Sequence, residues 1–119
     1  MNLNHVALTV ADVRASAEFY QSLGLTNIVN TAQYARLRCP EGGATVSLIG
    51  TPGAEACGSV TLYLEAADVR EAVRRLKQLG HAFLHDVVMQ PWGWQEARLT
   101  DPSGHTICLF HAGAKRFCA

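Results

Sequence analysis

At 119 residues and 49% hydrophobic composition, the chain is long enough to build one domain around a real core. Ten Lys and Arg balance ten Asp and Glu, so the formal net charge is zero; this argues against nucleic acid as a partner, and the weak mutual repulsion tolerates self-association. No apolar run approaches membrane-spanning length, the N-terminus lacks a basic region followed by a long apolar stretch, and Cys39, Cys57, Cys108 and Cys118 show no CxxC spacing, so a cytoplasmic protein with reduced thiols and no membrane partner is expected.

The first predicted strand covers about residues 4–10. Its alternation sends Val6, Leu8 and Val10 to one face and His5, Ala7 and Thr9 to the other. Asp12 is placed to cap a helix, because its carboxylate can accept from the free amides of the first turn. Val13, Ala17, Tyr20 and Leu23 recur at helical spacing, and Gly24 suits the left-handed position that ends the helix. Strands are then expected near 27–31, 33–38 and 44–49, with Pro40-Glu41-Gly42-Gly43 turning a hairpin between the last two. Residues of about 50–58, rich in Gly and Ala with one Pro, read as a linker.

The second half repeats the first. Another apolar, β-branched run (residues 60–64) leads to Asp68-Val69-Arg70, matching Asp12-Val13-Arg14, and its helix ends in Leu79-Gly80 as the first ends in Leu23-Gly24. Further on, Ala35-Arg36-Leu37 and Ala97-Arg98-Leu99 both open the pattern A-R-L-x-x-P-x-G, and each is followed by an apolar strand. Strands are expected near 82–89, 94–100 and 105–111.

The repeat predicts an α+β fold: two tandem β-α-β-β-β modules forming a curved half-barrel sheet with a cavity on the face that the helices leave bare. It predicts a single domain over residues 1–119, with module one at about 1–50, module two at about 59–112, and a short C-terminal tail. On the cavity face, alternation places His5, Ala7 and Thr9 from the first copy and Ser59, Thr61 and Tyr63 from the second. Glu96 and Arg98 share that face, as do Tyr34, Arg36 and Arg38. Buried charges there need each other or an anionic ligand, and an Arg98–Glu96 network is the first expectation. Trp92 and Trp94 flank Gly93 in a loop before a strand, where a ring can stack on a planar ligand or cap the core.

The run His5-Val6-Ala7-Leu8-Thr9-Val10, with Phe19-Tyr20, Leu23-Gly24-Leu25 and Asp101-Pro102-Ser103-Gly104-His105, resembles the vicinal oxygen chelate superfamily of glyoxalase I, extradiol dioxygenases, fosfomycin-resistance transferases and bleomycin-binding proteins. The resemblance spans essentially the whole chain. It implies a divalent metal held by His and Glu at strand positions which here fall on His5, Ser47, Ser59 and Cys108. Only His5 is an ordinary ligand among these, so a degenerate site without cofactor is expected, although a divalent metal stays in the reading. The expected function is binding of a small, partly aromatic organic molecule in a cavity lined by His5, Tyr63, Phe110 and the Trp92–Trp94 loop. The alternative is a glyoxalase I-like lyase or extradiol-type dioxygenase using His5 and an irregular ligand set. No nucleophile–base pair is apparent, so no catalytic residue is assigned. The exposed edges of such a sheet, and the resemblance, imply a homodimer.

Overall fold

The computed structural model describes residues 1–54 and 60–117, so Ser59, Cys57 and Cys118 lie outside the described residues. The described chain runs β1 (His5–Val10), α1 (Val13–Ser22), β2 (Thr26–Asn30), β3 (Tyr34–Arg38), β4 (Thr45–Gly50), β5 (Thr61–Glu65), α2 (Val69–Gln78), β6 (Val88–Met89), β7 (Gln95–Thr100) and β8 (Thr106–His111), then a short 3-10 turn at Gly113–Lys115. Each β-α-β-β-β run forms its own four-stranded mixed sheet, in the order β1-β4-β3-β2 and β5-β8-β7-β6. The two tandem modules inferred from the repeat are therefore both present.

The repeated residues do the same work in each copy. The Asp12 side chain accepts from Ala15 N at 3.0 Å, and Asp68 accepts from Glu71 N at 3.1 Å. Each caps its helix by satisfying one of the orphan amide donors of the first turn. Gly24 and Gly80, at φ 106° and 98°, follow the helix ends in the left-handed region that a Cβ disfavours.

The first compact unit comprises the first half of the chain together with Asp101–Gly104. Parallel pairing sets Val6 beside Val46 and Leu8 beside Leu48, and antiparallel pairing sets Leu37 beside Val46 and Ala35 beside Leu48. This face carries the core, in which Leu8, Val10, Ala35, Leu37 and Leu48 are buried with Val13, Ala17 and Tyr20 of α1. Tyr20, wholly buried, donates its hydroxyl to Asp101 Oδ2 at 2.7 Å. Burial and the Asp101 carboxylate push this phenol well above its ordinary value, so it stays protonated. Ser103 Oγ accepts from Ala11 N at 2.9 Å, which secures the 101–104 turn beside the end of β1.

In the second unit, Ile107, Leu109, Ala97 and Leu99 are buried, as are Val69, Val73 and Leu76 of α2. The strand expected over 82–89 is reduced to β6 at Val88–Met89. Phe83 and Val87, both partly buried, pack against the Val69, Val73 and Ala97 cluster. Between them, the His85 ring meets the Asp86 carbonyl at 2.7 Å and Asp86 pairs with Lys77 at 3.5 Å. Those local contacts replace a continuous ladder.

Candidate functional site

In the first sheet, the face turned away from α1 carries His5, Ala7 and Thr9 of β1. Ser47 of β4 is paired with both Ala7 and Arg36, and Thr45 with both His5 and Arg38. Ala7 and Thr9 are exposed, whereas Ser47 and Thr45 are buried beneath their neighbours. His5 meets Thr45 Oγ1 through Nδ1 at 2.6 Å and Ser47 Oγ through Nε2 at 2.9 Å. Tyr34 OH lies 2.6 Å from Ser47 Oγ. Arg36 donates through Nε and Nη2 to Thr45 Oγ1, at 3.2 and 3.1 Å.

Counting donors assigns the protons. A threonine hydroxyl has a single hydrogen and two lone pairs. Arg36 occupies both lone pairs, because a guanidinium can only donate, so the Thr45 hydrogen goes to His5 Nδ1. In the tautomer this geometry favours, Nε2 carries the hydrogen and donates it to Ser47 Oγ. The chain of donors runs Arg36 to Thr45 to His5 to Ser47, with Tyr34 at its end.

In the second sheet, the corresponding face carries Thr61, Tyr63 and Glu65 of β5. Cys108 pairs with both Tyr63 and Arg98, and Phe110 with both Glu65 and Glu96. Thr61 is exposed, while Cys108 and Glu96 are almost completely buried. Arg98 Nη2 donates to Tyr63 OH at 3.0 Å and to Glu96 Oε1 at 3.3 Å. Gln90 Nε2 donates to the same Glu96 oxygen at 3.0 Å. Arg98 is thus held by an internal carboxylate, as the spacing of Glu96 and Arg98 suggests, although its Nε is buried without a partner. Burial pushes the Cys108 thiol up to about 11; the charge of Glu96 adds to this and Arg98 opposes it.

Beside this pair stands an aromatic wall. Trp94 and Phe110 stack with centroids 4.8 Å apart, and Tyr63 meets Phe110 edge-on at 5.7 Å. Together with Arg116 and Phe117, these rings line a hollow of about 400 Å³. The turn at 90–93, closed by Gly93 N donating to Gln90 O, directs Trp94 into this cluster and leaves Trp92 half-exposed at its tip. Trp94 Nε1 donates to the Lys115 carbonyl at 3.0 Å. Glu65 Oε2 accepts from Ala112 N at 2.8 Å and Gly113 N at 3.3 Å, and Oε1 accepts from Arg116 at 2.9 Å. These contacts fix the C-terminal segment that forms one side of the hollow.

The first unit thus brings His5 and Ser47 together, and the second unit does the same for Tyr63, Trp94, Arg98, Cys108 and Phe110. Sequence reasoning missed Thr45, Gln90, and the Glu65 clasp with Arg116. Glu65 was within reach, since it alternates with Thr61 and Tyr63.

The described side chains at the metal positions, one imidazole, one alcohol and one thiol, are a poor donor set for a divalent ion. A ligating imidazole must offer a lone pair, yet in His5 one nitrogen accepts from Thr45 and the other carries the proton given to Ser47. Reversing the tautomer would leave Thr45 Oγ1 facing an additional donor with no lone pair left. Ser47 offers only a neutral hydroxyl, and Cys108 is wholly buried beside Tyr63 and Arg98. Among the described residues, no group of three or more His, Cys, Asp or Glu side chains is disposed to hold a metal.

The model of the Glyoxalase/Bleomycin resistance protein/Dioxygenase superfamily matches residues 2–109. No curated protein sequence matches the chain. Among solved structures, a lactoylglutathione lyase from Agrobacterium tumefaciens is similar with a TM-score of 0.80 and 21% identity, covering 99% of this chain and 97% of that one. A bleomycin-binding protein complexed with bleomycin gives 0.76 and 22%, covering 95% and 100%. A bleomycin resistance determinant encoded on the transposon Tn5 gives 0.77 and 23%, covering 93% and 98%.

Proposed function

The chain belongs to the Glyoxalase/Bleomycin resistance protein/Dioxygenase superfamily, and from that premise we propose that it binds a small, partly aromatic organic molecule without a metal. The observation that carries this reading is the hollow of about 400 Å³ walled by Tyr63, Trp94 and Phe110. Its volume falls in the range of small-molecule sites, about 300–1,000 Å³. Tyr63 is half-exposed beside the stacked pair. A planar ligand gains both buried apolar area and ring–ring contact there. The bleomycin-binding protein complexed with bleomycin supports the same kind of use for this fold.

The lyase or dioxygenase reading requires a divalent metal, and the donor set around His5 argues against it. Homodimerisation and a cytoplasmic location belong to the same proposal. No helix among the described residues is long and apolar enough to cross a membrane.

The test uses Trp92→Phe protein, in which Trp94 is the remaining tryptophan. Planar aromatic compounds are expected to quench its emission saturably, equally well before and after dialysis against EDTA. Trp94→Leu and Tyr63→Leu should each weaken binding, followed by calorimetry, at least tenfold. Purified untagged protein carrying a stoichiometric transition metal on His5, with an activity that chelation abolishes, would reverse the reading.

A further inference from the structure

We propose that the polar face of the first sheet is an oxyanion site anchored by Arg36. The balanced charge of the whole chain conceals a local imbalance. Strands β1 to β4 contain no acidic residue at all, yet β3 presents Arg36 and Arg38 on one face. Among the described residues, neither arginine pairs with a carboxylate, whereas Arg98 in the second unit has Glu96. Arg36 is half-buried, and its hydrogen bonds among the described residues both go to the Thr45 hydroxyl. A partly desolvated guanidinium facing only a neutral oxygen is under-compensated, and an anion would supply what is missing.

The guanidinium is also fixed in place. The Nε hydrogen and one Nη2 hydrogen converge on Thr45 Oγ1, and His5 holds that oxygen through its own bond with Thr45. Both Nη1 hydrogens and the second Nη2 hydrogen stay free of partners among the described residues. Those hydrogens form a fork, which matches two oxygens of one carboxylate or phosphate. Arg38 adds a second positive charge two residues along the same strand face. The ligand class is therefore an oxyanion with paired acceptor oxygens, either free or carried on an organic molecule. The inference rests on the first unit alone, and it stands or falls separately from the aromatic reading of the second.

The experiment is an NMR titration of isotope-labelled full chain with sodium phosphate and, separately, sodium acetate, at ionic strength held constant with sodium chloride. These probes carry no ring, so their failure leaves the aromatic proposal intact. A saturable displacement of the Arg36 Nε–H resonance, with a dissociation constant on the order of 1–10 mM, is expected with at least one of the anions. Preference for phosphate or for acetate then separates the two chemistries. Arg36→Gln should abolish the saturable response read at Tyr34 and His5. Arg36→Lys, which keeps the charge and loses the fork, should weaken it at least threefold. Arg14→Gln, on the exposed surface of α1, should leave it unchanged. A response that is linear and no larger than that to chloride overturns the proposal, as does a saturable one that Arg36→Gln leaves intact.

Discussion

Thr45 decides what His5 can do. The family resemblance points to His5 and Ser47 as members of one site, but not to the residue that locks the imidazole. That lock depends on β1 pairing in parallel with β4, a contact between residues forty positions apart that no local pattern reports. Cys108 is a similar case. Its place on the last strand is evident from the repeat, while its chemistry comes from burial and from Glu96 across the sheet. With the thiol raised from 9.0 to about 11, Cys108 should resist N-ethylmaleimide in native protein at pH 8 and react in urea, as read by peptide mass spectrometry. The sign of the linkage follows from the raised value. The protonated thiol is favoured by folding, so its contribution is whole below the unfolded value near 9 and fades as pH climbs toward 11. Urea midpoints should accordingly fall between pH 8.5 and about 11 more steeply for the wild type than for Cys108→Ala.

At the scale of elements, the helices and most strands follow from patterning, because capping, alternation and turn residues agree in each copy. The failure at 82–89 has a physical origin. Alternating apolar residues report which side chains are buried, and the same burial is achieved by a loop whose polar groups find local partners. The C-terminal 3-10 turn escapes sequence reading for another reason, since its stability comes from Glu65 on β5. That carboxylate sits below its ordinary value: the Ala112 amide contributes most, burial opposes, and the Gly113 amide, Arg116 and His111 assist. A depressed carboxylate stabilises the fold above its ordinary value of 4.5 and loses that contribution as pH falls through the lower native value. Acidification through and below 4.5 should therefore release the segment around Lys115, seen as a change in Trp94 emission in Trp92→Phe protein, because the indole loses its carbonyl partner. Adding Glu65→Ala should produce the released emission already at pH 7.

The whole molecule is where the sequence speaks most clearly, through a duplication visible in Asp-Val-Arg and in A-R-L-x-x-P-x-G. Those motifs mark caps and turns, which every copy of the fold must keep, whereas the polar faces have diverged: one has hydroxyls, an imidazole and uncompensated arginines, the other a carboxylate-bound arginine and an aromatic wall. The repeated arginine is kept, as Arg36 and Arg98, while its partner differs: the Thr45 hydroxyl in one copy and the Glu96 carboxylate in the other. The second A-R-L-x-x-P-x-G turn also carries Asp101, the acceptor for the buried Tyr20 hydroxyl in the first compact unit. Tyr20→Phe should cost about 1.5–3 kcal/mol in urea unfolding, the range for a hydrogen bond to a charged group.

This loan of four residues has a consequence for the ancestry and engineering of the chain. A gene fragment encoding residues 1–57 would express a half-protein whose central phenol has lost its acceptor, and it should aggregate or remain unfolded when made alone. Chimeras that graft the first half onto another scaffold will need the 101–104 tetrapeptide to travel with it.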